Sequence, residues 1–189
     1  MNSMLVLAGL SLSLLTYTVQ GADARADIDA SGKGYRGVVM LNQAAGELQQ
    51  QVNTRVITDG RPPTIQVEQK NSLLNSASAS DFSAYIQAES FRGGSGVLGV
   101  NQGAGLGNQQ INNFQLGTRV LPSSLDDSSL AQSAAPLSTI SAVEPLERGQ
   151  RLVEIDDQAF SGSSGVVQLN QGAGVGNRMI NSLGIQIVE

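Results

Sequence analysis

The sequence predicts an all-β protein: three stacked strand-turn-strand repeats, β-solenoid-like or cross-β, with disordered linkers between them. Three observations predict it. One pattern of residues recurs at three places in the chain. Apolar residues inside the pattern alternate with period two, the spacing of a strand. Charges and large apolar side chains are both scarce where the pattern occurs.

Composition narrows the choices further. The 189-residue chain has a net charge of −5, no Cys, His or Trp, four Phe and three Tyr. Burying a large apolar side chain contributes about 1.5–3 kcal/mol. A chain this poor in them must gain stability from backbone hydrogen bonds and close stacking, or stay partly disordered. The acidic balance argues against nucleic acid, whose binding needs Lys and Arg to neutralise phosphates. It also argues against a polybasic membrane contact. Without Cys there is no disulfide framework and no thiolate metal site.

Taken in order, the chain opens on "MLVLAGLSLSLL" (Met4–Leu15), an apolar run followed by the small residues of "TYTVQGADA". The run is too short to span a bilayer and reads as a secretory signal peptide over 1–21, with the mature chain starting at Ala22 or Arg25. No second long apolar stretch follows, so an integral membrane protein is not expected. The first repeat region covers 22–58, the second 82–120 and the third 150–189. Linkers occupy 59–81 and 121–149. They are rich in Ser, Ala, Pro and acids, and read as solvated segments with at most a brief helix.

The repeats are "GVVMLNQAAGELQQQVN" from Gly37, "GVLGVNQGAGLGNQQIN" from Gly96 and "GVVQLNQGAGVGNRMIN" from Gly165. Val39, Leu98 and Val167 share a column, as do Leu41, Val100 and Leu169. Next come Asn42, Asn101 and Asn170, then Gln43, Gln102 and Gln171. Gly46, Gly105 and Gly174 coincide at a turn, and Val52, Ile111 and Ile180 match beyond it. Each copy reads as a β-arch or hairpin. Upstream, Ile86 aligns with Ile155 and Phe91 with Phe160, so an extra strand is expected before the second and third arches. The first arch is expected to lack it, and carries Glu47-Leu48 where the others have Leu106-Gly107 and Val175-Gly176. On these grounds arches two and three are expected to form the tight stack, with arch one joining late.

Competing chemistries fit poorly. A dinucleotide fingerprint needs GxGxxG between strand and helix, but Gly103, Gly105 and Gly107 are misspaced and "NQQINNFQLG" is a poor helix. A calcium β-roll needs Asp after its glycine turn, and "GGSGVLGV" has none. Asp126-Asp127 and Asp156-Asp157 read as solvated charge. Without His or Cys the usual nucleophile–base pairs are missing. No enzyme, cofactor or metal site is expected. A disordered Gly/Asn-rich spacer would not repeat an apolar period-two frame three times.

Stacking explains the residues better. In parallel register, strands lie roughly 4.7–4.8 Å apart and like residues sit over like. Each Asn or Gln amide can then donate to one neighbour and accept from the other, whereas a charge would face its own copy. The expected self-assembly residues are therefore Val39, Leu41, Asn42, Gln43 and Gly46 in the first arch. In the second they are Leu98, Val100, Asn101, Gln102, Gly105, Asn108, Gln109, Gln110 and Ile111. In the third they are Val167, Leu169, Asn170, Gln171, Gly174, Asn177 and Ile180.

"GVNQGAGLGNQQ" (Gly99–Gln110), "MLNQAAGELQQQ" (Met40–Gln51) and "QLNQGAGVGNRM" (Gln168–Met179) resemble the spaced GVNxAAGxxNQQ motif of the Fap-type functional amyloid system secreted by pseudomonads and related bacteria. The first has Gly103 for an Ala, the second Gln49 for the Asn, and the third ends in Arg-Met. The Cys-x-Cys element that ends some family subunits is absent. The resemblance implies passage through the periplasm, export by an outer-membrane pore, and cross-β fibres at the cell surface that contribute to biofilm. The partners it implies are further copies or homologous amyloid subunits. The resemblance leaves open whether the chain is a main subunit, a minor or nucleating subunit, or a chaperone-like modulator of fibre assembly.

Overall fold

The computed structural model describes residues 23–59, 65–72, 80–118, 130–135 and 149–187. The signal-peptide expectation and the remaining linker residues lie outside them. Eleven strands and no helix form among the described residues. They are β1 (Ala24–Asp29), β2 (Arg36–Glu47), β3 (Gln50–Thr58), β4 (Val67–Ser72), β5 (Phe82–Gln87), β6 (Ser95–Leu106), β7 (Gln109–Gly117), β8 (Leu130–Ala135), β9 (Arg151–Ile155), β10 (Ser164–Val175) and β11 (Arg178–Gln186).

The chain makes three rungs, β1–β2–β3, β5–β6–β7 and β9–β10–β11. Equivalent strands pair in parallel, giving sheets ordered β1-β5-β9, β2-β6-β10 and β3-β7-β11. The middle rung is the second in sequence. The register is the one the repeat columns demand: Asn42, Asn101 and Asn170 are direct partners, as are Gly46, Gly105 and Gly174. The strands before and after each tight turn belong to different sheets, so each repeat is an arch and not a hairpin.

Period-two alternation sends one face of each strand into each layer. Between the first and second sheets Ile28, Ile86, Phe91, Leu98 and Val100 pack together, beside an alanine-rich cluster of Ala24, Ala26, Ala84 and Ala104 with Phe82. Between the second and third sheets the filling is amide. Small residues let successive rungs close on one another within the second sheet. A Cβ on Gly105 would stand 2.0 Å from the carbonyl oxygen of Gly174, and one on Gly96 2.0 Å from that of Gly37. Both glycines also hold positive φ, at 118° and 127°, a region that L side chains enter only at a cost.

Two expectations need correction. The first arch does have its upstream strand: β1 pairs with β5, placing Ile28 opposite Ile86. Only the Phe is missing. Its place is taken by Gly32, where a Cβ would meet the Phe91 ring at 2.5 Å. Tyr35 supplies the aromatic ring instead, seated against Gly94, and Phe91 stacks on Phe160 at 5.3 Å. Ile28 lies in "ARADID", whose charges fall on alternate positions, unlike the second copy "FSAYIQ". The linkers likewise hold more order than expected. Val67–Ser72 and Leu130–Ala135 pair as a fourth, two-stranded parallel sheet, where the sequence suggested at most a brief helix. It packs on the third sheet through Ile65, Val67 and Ile111.

Candidate assembly surface

The centre of the molecule is a bed of side-chain amides between the second and third sheets. Asn101 Nδ2 donates to Asn42 Oδ1 at 3.0 Å, and Asn170 Nδ2 donates to Asn101 Oδ1 at 3.0 Å. A second column runs beside it. Asn112 Nδ2 donates to Asn53 Oδ1 at 3.0 Å and Asn181 Nδ2 to Asn112 Oδ1 at 3.1 Å. The columns are tied within each rung, Asn53 to Asn42, Asn112 to Asn101 and Asn181 to Asn170. Each also donates to a backbone carbonyl across the arch, as Asn112 does to Val100 and Asn181 to Leu169. Asn101 and Asn112 are fully buried. A buried amide left without partners would cost about 1–3 kcal/mol, and here both atoms of Asn101 are engaged.

Glutamines do the same work toward the first sheet. Gln102 donates to Gln43 and Gln171 to Gln102, at 2.8 and 2.9 Å. Gln43, Gln102 and Gln171 also reach the carbonyls of Asp27, Tyr85 and Glu154. Gln109 donates to Gln50 and Gln51 to Gln110. These last two columns stop at the third rung, where Arg178 and Met179 take the glutamine places. Asn108 closes the second turn through Ala104 O and accepts the Asn177 backbone N–H.

The other expected residues fall on the apolar side or at the turns. Val39, Leu41 and Leu169 pack against buried Leu98 and Val100, while Val167 sits in the same column at the open edge of rung three. Ile111 and Ile180 face the fourth sheet. Gly46, Gly105 and Gly174 line up at positive φ just before the tight turn. Asn53, Asn112 and Asn181 were not among the expected site residues, although the repeat alignment places them in one column. Gln69 and Gln132, in the linker strands, had no repeat to point to them.

Charge stays at the rim. The ion pairs among the described residues, Arg25–Asp27, Lys33–Glu89, Lys70–Glu68 and Arg92–Glu89, are all exposed. Lys33 links the first rung to the second, and its hydrogen bond, with Arg92 beside it, holds the Glu89 carboxyl below its ordinary value. The Asp27 carboxylate raises the Arg25 guanidinium further above its ordinary range. Among the described residues no cluster of His, Cys, Asp and Glu could hold a metal ion, and no helix is long and apolar enough to cross a membrane.

Parallel sheets in register, identical residues over one another and a dry amide core define a stacked-repeat protein of the amyloid type. The model of the functional amyloid protein FapB/FapC family matches residues 13–188. The chain belongs to that family and is a functional amyloid protein. No solved structure matches it.

Proposed function

We propose that the chain is a secreted fibre subunit, minor or nucleating, that self-assembles head to tail at the cell surface and contributes to the biofilm matrix. In this reading the third rung of one copy receives the first rung of the next. The observation that carries it is the match between the two ends. Continuing the register across the joint puts Asn170 opposite Asn42, Gln171 opposite Gln43, Gly174 opposite Gly46 and Ile180 opposite Val52. The Asn42, Asn53 and Gln43 ladders then run on from copy to copy, while the Gln50 and Gln51 columns are interrupted at Arg178 and Met179. Export through a dedicated outer-membrane pore, with the periplasm crossed in transit, follows from the family resemblance.

The test is growth of fibres by residues 22–189 alone, followed by thioflavin T and fibre diffraction. Asn101→Asp should slow seeded growth at least about tenfold, since it buries a charge and removes two donors at once. Ser128→Asp, in a linker, should change little. Equal effects of the two would count against the ladder. A second reading, an assembly modulator that caps a partner's fibre, is favoured by the charges and turn of rung one: Glu47, Arg55 and the left-handed Leu48. No fibres alone, with delayed growth of a homologous subunit, would select it.

A further inference from the structure

The fourth sheet has two strands, and the stack it covers has three rungs. This mismatch is forced by connectivity, because three arches have two linkers between them. β4 and β8 lie side by side, Val67 opposite Leu130 and Gln69 opposite Gln132. They form a short ladder of their own, with Gln132 Nε2 donating to Gln69 Oε1 at 2.8 Å. Each glutamine also reaches a carbonyl of the third sheet. Gln69 donates to Gln110 O in rung two and Gln132 to Met179 O in rung three. Gln51, Gln110 and Met179 are register partners, so the carbonyl that completes the series is Gln51 O in rung one. Among the described residues no strand of the fourth sheet lies beyond β4 on that side.

We infer that this place, along the free edge of β4 and over rung one, receives an extended strand from another protein. A parallel strand would take up backbone groups of the β4 edge that no described strand bonds, as in recognition by strand addition. It would replace the side-chain bonds that now bridge this gap, Gln50 Nε2 to Lys70 O and Asn71 Nδ2 to Leu48 O. Its inward pattern is set by the two strands already there. Val67, packed against Ile65 and Ile111, stands two places before Gln69, so the partner presents an apolar residue, one residue of any kind, then a glutamine. The glutamine extends the ladder below Gln69 and donates to Gln51 O. In this sequence that pattern does not recur outside the described residues, where the one glutamine is Gln20, with Thr18 two places before it.

In a fibre, which rests on the head-to-tail reading above, the same place gains a second wall. β8 of the adjoining copy then borders it from the other side. One strand would fit per chain, at intervals of about 14 Å along the fibre, three strand spacings. The strand is thus a lateral decoration of the fibre and leaves its growing end free.

The test uses the full mature chain, soluble and as fibres, and a fluorescent peptide copying Gln66–Ser72. Binding to fibres is expected to saturate near one peptide per chain. A peptide carrying Gln69→Lys should bind at least about tenfold more weakly, from the loss of buried hydrogen bonds. Hydrogen exchange of the β4 amides should slow when peptide is bound. The inference is overturned if neither soluble chain nor fibre binds saturably, or if a scrambled peptide binds as well. It is also overturned if binding is far below one per chain and confined to fibre ends. Failure to form fibres would count against the self-assembly reading alone, since the β4 edge of the soluble chain still reports on the peptide.

Discussion

At the residue scale, the tight turn of the first arch holds a side chain where its copies have glycine. Leu48 sits at φ 55°, where Gly107 and Gly176 sit at 62° and 68°. The turn geometry is the same, but an L side chain in that region costs roughly 1–2 kcal/mol. The Leu48 side chain is 56 % exposed and returns little by packing. Leu48→Gly is therefore expected to raise stability, by up to about 1 kcal/mol after the extra chain entropy of glycine. A higher urea midpoint for the soluble chain and a shorter lag in fibre growth would show it; a lower midpoint would mean that Leu48 packs to some purpose. Glu89 gives a pH-dependent counterpart. Its carboxyl is held below its ordinary value, so it contributes stability above the unfolded value of about 4.3 and loses that contribution as pH falls through the lower folded value. Wild type and Glu89→Gln should differ at neutral pH and converge in acid. The pair is exposed, so the difference is small and shrinks in high salt; divergence on acidification would refute the coupling to Lys33.

At the scale of the elements, the middle rung carries the structure. β6 pairs with both β2 and β10, and β7 with both β3 and β11. Deleting Gly96–Gly117 removes the strands that the other two arches both bond to. Deleting Gly37–Thr58 leaves rungs two and three paired over their whole length. Seeded growth is expected to survive the second deletion and to be lost or greatly delayed by the first; the opposite ranking would mean that arch one nucleates. One of the grounds for this order, a missing upstream strand, does not stand, because β1 pairs fully with β5. What remains is the position of rung two between its neighbours and the strained, charged turn of rung one.

For the whole molecule, the proposed head-to-tail joint would make few electrostatic demands. Of the positions paired in all three rungs, one column brings like charges together across it. Asp27, Tyr85 and Glu154 are register partners, so in the proposed head-to-tail joint Glu154 of one copy would meet Asp27 of the next. Within a single chain Tyr85 keeps them apart, and Asp27 is paired with Arg25. Glu154→Gln should therefore accelerate elongation at neutral pH while leaving the stability of the soluble chain within about 0.5 kcal/mol, as for most surface substitutions. Added salt should narrow the gap in elongation rate. No change in elongation, with intact fibres, would place the joint elsewhere than between rungs three and one.

While the sheet topology decided that each repeat is an arch and not a hairpin, the sequence by itself determined the strand-turn-strand repeats, their parallel register and most of the amide columns. Each of these is a statement about like residues meeting like, and a repeat writes that directly: Asn42, Asn101 and Asn170 are legible as partners before any fold is known. It also held Asn53, Asn112 and Asn181 in plain alignment, though it did not say that they face the first column across the arch. Only the tertiary structure decided what has no counterpart to align with. Ile28 joins the core although its strand carries Arg25, Asp27 and Asp29, because alternate side chains leave on the other face. Tyr35 replaces a phenylalanine from three places further along, since space and not position is what the aromatic layer requires. β4 and β8 pair only because the stacked arches hold their linkers one above the other, a proximity that neither segment encodes alone.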